Sequence, residues 1–389
     1  MSNSHLDFYT RHKISPVHYV GGSVQEHFER RASLYRSLGL SALAFRNARV
    51  LEVAVGSGQN SLYVASLMPE SLTLIEPNPT GIGEIQKLYA KSEVRHVAPT
   101  LVESTLQDYV PAQLFDIVIC ENWLGRAEHE RAMLRKLTGM LDQQGIVVVT
   151  TVTPTGFLPN LVRRALAIKY CDPRLPFQER SNALENMFAP HLKTISAMTR
   201  SAKDWVQDNM INPAYFDLCL TIPDVIRELD GMATALGTNP VFSSDWRWFK
   251  ELKGTARAFN SHLIQEYESA LHNFFDYQKV FLQPDVQLNR ELGEGCLSFL
   301  ETVRAYEFAA IANAGESEKL QEAIASLTTI VNQIRHFPDS VRTGLEAGLE
   351  LLRANYADRS AVAAHSPFSR LFGRETVYLS LIADVPRNP

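Results

Sequence analysis

The fold of this chain follows from the stretch Val50-Leu51-Glu52-Val53-Ala54-Val55-Gly56-Ser57-Gly58-Gln59-Asn60. Its apolar first half, bounded by a turn signal, predicts a buried strand. The Gly-x-Gly pair at Gly56 and Gly58 then opens a predicted helix that begins near Asn60. Glycines at such a junction adopt backbone angles that other residues avoid, and they let a ligand approach the backbone closely. The stretch therefore predicts the strand-turn-helix part of a ligand site.

A carboxylate stands at the end of the next predicted strand. That strand runs from Leu72 to Ile75, and Glu76 follows it, eighteen positions after Gly58. An acid in this place accepts hydrogen bonds from the hydroxyls of a ribose. The two strands and the helix between them therefore predict a nucleoside-binding β-α-β unit.

Composition and charge set limits on the class of protein. The chain has 389 residues, 45% of them hydrophobic and 21% charged, which predicts a globular protein of two lobes. Its net charge of −5 argues against nucleic acid as a partner, because phosphate binding needs a basic face. We interpret the basic pair Arg163-Arg164 as part of a solvated helix face. No run approaches the ~20 apolar residues of a membrane span, so no membrane partner is expected.

Two features indicate a cytoplasmic location. The start of the chain, Met1-Ser2-Asn3-Ser4-His5, has no apolar signal region. The cysteines are scattered without a Cys-x-x-Cys pair, which is typical of reduced structural thiols and gives no zinc or other metal signature. They are Cys120, Cys171, Cys219 and Cys296.

From Arg49 onward, apolar strands alternate with helices. Strands this apolar, separated by helices, predict a doubly wound α/β fold with a mostly parallel sheet covered on both faces. The predicted strands of this seven-stranded sheet are 50–55, 72–75, 101–103, 115–120, 146–152, one within 232–242, and 376–382. The predicted helices are 60–67, 81–97, 128–141, one from near Asn160 with a loop after it, and 223–229. Ligands of such sheets bind at the carboxyl ends of the strands.

The N-terminal part of the chain is expected to combine an irregular segment with one helix. Breakers such as Ser15-Pro16 predict irregular structure over 1–24, and helical spacing predicts a helix over 25–38. This helix either packs on the next domain or forms a lid that brings His18 and Tyr19 near the ligand.

A strongly helical insertion is predicted over 246–366. Its apolar residues recur at the narrow spacing of packed antiparallel helices. It is interpreted as a structural bundle, a substrate cap or a homodimer surface, and the spacing does not choose among these. The expected domains are an N-terminal lid or helix (1–44), a Rossmann-like cofactor core (45–155), a cap of helix and loop (156–222), the remaining sheet (223–245 and 367–389) and this helical insertion.

Three ligands compete for the Gly-x-Gly site. A nucleoside triphosphate is the weakest, because the loop has no lysine. A dinucleotide is the second candidate, but Ser61 stands where the third glycine of its fingerprint would allow close helix packing. S-adenosylmethionine carries no phosphate and needs neither feature. Its cationic sulfur suits an acidic strand end, and both Glu52 and Glu76 lie on strands that lead into the site.

On these residues the sequence resembles the class I S-adenosylmethionine-dependent methyltransferases. Their signature, an acid followed by Gly-x-Gly-x-Gly, is matched from Glu52 to Gly58, with Ala54 in place of the first glycine. The second-strand acid matches Glu76, and the fourth strand and the late antiparallel strand also have counterparts. The resemblance covers 45–155 and the remaining sheet, which is under half of the chain.

The resemblance implies a Rossmann-like fold with S-adenosyl-L-methionine as cofactor. The small residues of the turn would border its methionine moiety, Glu76 would hold the ribose hydroxyls, and Glu103 with Ser104 would lie beside the adenine. The segment 121–123 would lie where such enzymes present residues to the transferred methyl group. The expected cofactor-binding residues are Glu52, Ala54, Gly56, Gly58, Asn60, Glu76, Glu103, Ser104, Glu121 and Trp123.

Four residues are candidates for catalysis. Asn122 follows the fourth strand, and Asp204 and Asp208 are four apart, so that they share a face if helical. Two such acids bind a cationic or polyhydroxylated substrate, or one acts as base, a role commonly worth ~10²–10⁴-fold. The alternative is that Asp204 caps a helix. His191 is a base candidate because its ordinary pKa lies near neutral, and the alternative for it is a structural histidine.

The leading hypothesis is an enzyme that transfers a methyl group to an O or N atom of a small-molecule or sugar-type metabolite. The Asp/Asn-Pro-Pro-Tyr motif of amino-methylating relatives is absent after the fourth strand, which leaves the acceptor atom open. Two alternatives remain. One is an enzyme that uses the same cofactor for intramolecular displacement, and the other is a non-catalytic cofactor-binding scaffold.

Overall fold

The computed structural model describes residues 4–15, 22–124, 130–216, 219–252, 256–355 and 358–384. Contacts divide the chain into two units. The first comprises Met1–Val152, Leu220–Tyr267 and Val377–Pro389, and the second comprises Thr153–Cys219 and Glu268–Thr376. The predicted division into five segments stays a prediction.

One seven-stranded sheet organises the first unit. In chain order its strands are β1 (Arg49–Val53), β2 (Ser71–Ile75), β3 (Thr100–Val102), β4 (Phe115–Cys120), β5 (Leu141–Val152), β6 (Ala233–Asn239) and β7 (Thr376–Ala383). They lie in the order β3-β2-β1-β4-β5-β7-β6. The pairs among β1 to β5 are parallel, and β6 pairs with β7 in antiparallel fashion. The predicted fold class, a mostly parallel seven-stranded α/β sheet, is confirmed.

The helices account for most of the remaining chain. They are α1 (Ser4–His12), α2 (Val24–Ser37), α3 (Ala42–Phe45), α4 (Gln59–Ser66), α5 (Pro79–Lys91), α6 (Arg131–Thr138), α7 (Pro154–Tyr170), α8 (Phe177–Leu192), α9 (Ala202–Val206), α10 (Ile222–Glu228), α11 (Ala256–Ala270), α12 (Val286–Ala312), α13 (Glu316–Gln333), α14 (Asp339–Arg353), α15 (Arg359–Ala364) and α16 (Ser366–Ser369). No helix within the described ranges combines the length and apolar content that a bilayer crossing needs.

In the core of the first unit, helices α2 and α3 pack against the sheet. Tyr35 of α2 and Phe45 of α3 are buried in one cluster with Val50, Leu72 and Ile117 of the central strands. These strands are apolar on both faces because helices cover both faces. Helix α2 therefore packs into the core, as the first of its two interpretations expects, and His18 and Tyr19 of the lid interpretation lie outside the described residues.

Several predicted bounds were wrong. Residues 4–12, expected to be irregular, form α1, because the breakers all lie beyond its last turn and Phe8 is buried. Helix α7 begins at Pro154 rather than near Asn160, since proline suits the first helical position, where no N–H partner is lost. The loop expected after it contains α8. Helix α5 ends at Lys91, six residues before the predicted end.

The interpretation of Arg163-Arg164 as a solvated face was also wrong. Both side chains lie in the second unit, 0% and 1% exposed. Arg163 stacks on the Phe372 ring at 3.8 Å and donates to the Pro159 carbonyl, and burial lowers its pKa to about 9. Arg164 donates through Nε and Nη2 to Glu307 at 3.1 and 2.8 Å. Arginine tolerates such burial because its planar fork satisfies several acceptors together.

We expect Gly156→Ala to destabilise the second unit. An added Cβ would lie 2.2 Å from the Arg374 carbonyl oxygen, so the backbone would have to shift. Overpacking of this kind costs ~1–3 kcal/mol. Gly83→Ala in α5 is the control, because nothing lies within 4 Å of its added methyl and a helical Gly-to-Ala change stabilises by about 0.5–1 kcal/mol. Urea unfolding followed by circular dichroism measures both, and equal stabilities of the two variants would contradict the expectation.

Candidate functional site

Parallel register places the ends of four strands at one edge of the sheet. Val53 at the end of β1 pairs with Ile75 of β2 and with Cys120 of β4, and Ile75 pairs with Val102 of β3. The residues that follow these strand ends therefore lie along the same edge, which is where ligands of such sheets bind. They are Ala54, Glu76, Glu103 and Glu121.

The turn after β1 has left-handed backbone angles at three positions. The φ angles are +57° at Ala54, +58° at Gly56 and +77° at Gly58. Glycine adopts such angles without strain, whereas alanine pays roughly 1–2 kcal/mol. This explains why the signature has a glycine at the place of Ala54. Ala54 adopts the same angle here, and its N–H donates to the Ile75 carbonyl at 2.9 Å.

Helix α5 packs directly against this turn. A Cβ on Gly58 would lie 2.9 Å from Cγ1 of Ile85, and a Cβ on Gly81 would lie 2.8 Å from the Gly56 carbonyl oxygen. Gly81 and Ile85 are not among the site residues predicted from the sequence. Their signal is weak, since one glycine and one apolar residue in a helix are common. The close approach means that neither glycine accommodates a larger side chain without movement of the turn.

Glu76 is tied to the backbone of the turn. Its Oε2 accepts a hydrogen bond from the Gly56 N–H at 2.8 Å, and its Oε1 accepts one from the Asn78 N–H at 2.9 Å. Burial raises its pKa to about 7, and the two backbone hydrogen bonds oppose this shift. Each carboxylate oxygen has two lone pairs, so Glu76 keeps capacity for ribose hydroxyls while it holds the turn.

Glu52 is a buried carboxylate with unused acceptor capacity. It is 3% exposed on β1, it receives a hydrogen bond from Ser61, and its Oε2 has no partner among the described residues. Burial raises its pKa to about 7, and the nearby Glu121 adds to the shift. A buried acceptor without a donor is costly, which makes it a place for a ligand donor or cation.

Glu121 lies at the centre of a polar network. Its Oε1 accepts hydrogen bonds from Arg31 Nη2 at 2.5 Å and from the Tyr35 hydroxyl at 3.2 Å. Its Oε2 accepts a longer one, 3.4 Å, from Asn60 Nδ2. The Asn60 Oδ1 atom is buried without a partner among the described residues. The network joins the predicted residues Asn60 and Glu121, and Glu52 lies within electrostatic range of Glu121. It also adds Arg31 and Tyr35, which sequence reasoning missed.

The other predicted residues of this edge are more exposed to solvent. Asn122 has a left-handed φ of +57°, and its N–H donates to the Thr150 hydroxyl at 2.8 Å. Trp123 is half-buried and Glu103 is exposed. Ser104 donates to the Thr105 carbonyl at 3.0 Å. Their predicted roles toward the adenine and the methyl group stay predictions.

The remaining catalytic candidates belong to the second unit. Asp204 follows the Ser201 cap of α9, and Asp208 lies beyond that helix in a π-helical turn, where it pairs with Arg200. His191 is fully buried: Nδ1 accepts from Arg163 Nε at 3.2 Å, and Nε2 bonds the Val362 carbonyl at 2.9 Å. Burial and then Arg163 lower its pKa to about 3. These contacts are those of a structural histidine, the alternative named above.

The edge fits a ligand with hydrogen-bond donors and positive charge. Its buried acceptors are the oxygens of Glu52, Asn60, Glu76 and Glu121. S-adenosylmethionine offers ribose hydroxyls, an ammonium group and a sulfonium, and it has no phosphate that these oxygens would repel. The residues present therefore fit the predicted cofactor.

We expect the free energy of unfolding to fall with rising pH because of Glu52. Between pH 4.5, its ordinary pKa, and about 7, its pKa in the folded chain, the folded state keeps a proton that the unfolded state has lost. The contribution of Glu52 to the free energy of unfolding is therefore fully present below pH 4.5. It is lost as the pH rises through 7, and the loss amounts to up to ~3 kcal/mol. Urea titrations from pH 4 to 8 measure the free energy of unfolding at each pH, and this free energy should depend less on pH in Glu52→Gln than in the wild type. The exposed Glu70→Gln should keep the wild-type profile, and parallel profiles for all three chains would refute the expectation.

Comparisons with known proteins identify part of the chain. Residues 51–149 match the family model described as methyltransferase domain. No curated protein matches the chain in sequence.

Three solved structures with similarity to the chain are methyltransferases or carry their cofactor product. The N-methyltransferase NodS from Bradyrhizobium japonicum WM9, solved with S-adenosyl-L-homocysteine, is 21% identical over 32% of this chain and 61% of its own, with a TM-score of 0.27. The magnesium protoporphyrin IX methyltransferase from Synechocystis PCC 6803 is 17% identical over 39% and 77%, with a TM-score of 0.32. PKMT2 from Rickettsia typhi is 16% identical over 54% and 43%, with a TM-score of 0.35. The chain thus covers less than two thirds of NodS.

The family match agrees with the geometry. It covers the strands and turns that carry Glu52, Gly56, Glu76 and Glu121. The cofactor expected from the sequence, S-adenosyl-L-methionine, is the cofactor of this family. Residues 51–149 therefore match a methyltransferase domain, in agreement with the class I resemblance seen in the sequence.

Proposed function

We propose that the protein is an S-adenosylmethionine-dependent methyltransferase that acts on an O or N atom of a small-molecule or sugar-type metabolite. The observation that carries the proposal is the row of buried acceptors at the carboxyl edge of the sheet. Glu52 and Glu121 lie within electrostatic reach of each other, and Glu76 holds the turn between them. A family domain with this edge intact supports a working cofactor site rather than a scaffold.

In this proposal the residues at the edge bind the cofactor and orient it. When bound, the cofactor supplies an activated methyl group on a sulfonium. Glu76 accepts hydrogen bonds from ribose hydroxyls while its other lone pairs keep the Gly56 N–H in place. Glu52 and Glu121 place negative charge along the cationic part of the ligand. Alignment of donor and acceptor can contribute on the order of 7–11 kcal/mol to such a transfer, so a rigid edge is the main catalytic device.

The charge of the edge supports a neutral or cationic acceptor. Among the described residues that follow the strand ends, Glu76, Glu103 and Glu121 are acidic, and none is basic. The guanidinium that reaches this edge, that of Arg31, is already paired with Glu121. Such an edge repels phosphate and carboxylate acceptors and suits hydroxyls or amines. Asn122, whose side-chain amide lies 3.5 Å from the Tyr378 hydroxyl, is the candidate we retain for contact with the acceptor.

We expect Glu76→Ala and Gly58→Val each to weaken S-adenosylmethionine binding about tenfold or more. Glu76→Ala removes charged hydrogen bonds, each worth ~1.5–3 kcal/mol. Gly58→Val puts a branched side chain at a φ of +77°, with its Cβ 2.9 Å from Ile85. Isothermal titration calorimetry measures the affinities, with Gly83→Ala as the folded control and circular dichroism to verify folding. Unchanged binding in both variants would refute the proposed cofactor site.

The products distinguish methyl transfer from other uses of the cofactor. Incubation of the wild-type chain with pools of hydroxylated and amino metabolites, followed by mass spectrometry, should give S-adenosylhomocysteine and a product heavier by one methylene. Methylthioadenosine would instead indicate intramolecular displacement at the aminobutyrate chain. Binding without any turnover across both pools would favour the scaffold alternative.

A further inference from the structure

Helix α2 lies against the helix that the glycine turn opens. Phe28 meets the Tyr63 ring of α4 edge-on at 5.3 Å, and Tyr35 stacks on the same ring at 6.0 Å. Nearer the turn, His27 Nε2 lies 3.3 Å from the Gln59 carbonyl oxygen. The ring nitrogen donates this hydrogen bond, because a carbonyl oxygen only accepts, and burial lowers the pKa of His27. One face of α2 is therefore built against the start of α4, next to Gly58.

From this face Arg31 reaches the end of β4. Its side chain is 7% exposed and pairs with the Glu121 side chain, 8% exposed, at 2.5 Å. Arg31 Nη2 also donates to the Tyr35 hydroxyl at 2.6 Å, and that hydroxyl donates to Glu121 Oε1 at 3.2 Å. Two donors thus converge on one oxygen of Glu121. Within the described ranges, the other oxygen, Oε2, accepts one longer hydrogen bond, from Asn60 at 3.4 Å.

A role in stability alone does not explain this pair. Removing two charges from water costs several kcal/mol per ion, and apolar residues of similar volume often stabilise as well. The pair is also incomplete as a structural device, because Arg31 Nε is buried without a partner among the described residues. The pair does orient the Glu121 carboxylate. It fixes Oε1 at the edge where a ligand would bind and leaves Oε2 available to that ligand.

We propose that Arg31 is a positioning residue that, with Tyr35, holds Glu121 so that its Oε2 faces the positive charge of the bound cofactor. This inference rests on the proposed function, since it concerns the same site. The cofactor has two cationic groups, the sulfonium and the ammonium. Each of these groups would attract a carboxylate in the same way. The test therefore uses one ligand with both cationic groups, one with the ammonium alone and one with neither.

The test measures binding of S-adenosylmethionine, S-adenosylhomocysteine and 5′-methylthioadenosine by calorimetry. The second ligand lacks the sulfonium, and the third lacks the ammonium as well. In Arg31→Gln we expect S-adenosylmethionine affinity to fall about tenfold, the scale of one charged hydrogen bond, while methylthioadenosine affinity stays within twofold. Loss for S-adenosylmethionine alone assigns Oε2 to the sulfonium, and loss for both amino-acid ligands assigns it to the ammonium.

Matched variants separate positioning from folding. Glu121→Gln should reproduce the ligand pattern of Arg31→Gln, and the double variant should lose no more than either single one, because both act through one carboxylate. Arg31→Lys should restore most of the affinity, and Arg30→Gln, at the exposed neighbouring position of α2, should bind like the wild type.

Two different results would overturn the inference. Equal weakening of all three ligands in Arg31→Gln, together with wild-type binding by Glu121→Gln, would reduce Arg31 to a structural residue and leave the proposed function standing. A folded wild-type chain that binds none of the three ligands would refute the proposed function itself, and the positioning role with it.

Discussion

A carboxylate buried at the end of a strand needs hydrogen-bond donors, and the residues at the carboxyl ends of the strands are arranged around that requirement. The turn after β1 has left-handed backbone at Ala54, Gly56 and Gly58, and its Gly56 N–H donates to a side chain rather than to a neighbouring strand. Glu76 captures the Gly56 N–H and the Asn78 N–H together. The acid that we propose as the cofactor's ribose ligand therefore also maintains the shape of the glycine turn.

The same requirement has different solutions elsewhere in the chain. Glu121 accepts hydrogen bonds from Arg31 and Tyr35 of α2, which makes helix α2 part of the edge. The Oε2 atom of Glu52 has no hydrogen-bond donor among the residues that the structure describes, which makes it a candidate contact for a ligand. In the second unit the buried charged group is a cation that needs acceptors. The guanidinium of Arg163 donates to carbonyl oxygens and lies over the faces of aromatic rings.

Most of the fold was predictable because each central strand is apolar on both faces and each is followed by a turn. β4 coincides with its predicted bounds, and β7 was placed at the far end of the chain. Two of the errors lie where proline was interpreted only as a breaker: Pro154 begins α7, and α8 contains Pro190 in its last turn. Proline suits the first turn of a helix and also follows helix ends, so its presence alone does not say on which side of it the helix lies.

The amino-acid sequence by itself determined the sheet, the glycine turn and the acids that follow the strands, because all of these depend on residues close together along the chain. Only the tertiary structure decided which distant side chains complete the edge. Arg31 and Glu121 are ninety positions apart, and Arg31 has no local pattern that distinguishes it from the exposed Arg30 beside it. A buried ion pair depends on packing from two elements at once, and that packing exists only after the chain has folded.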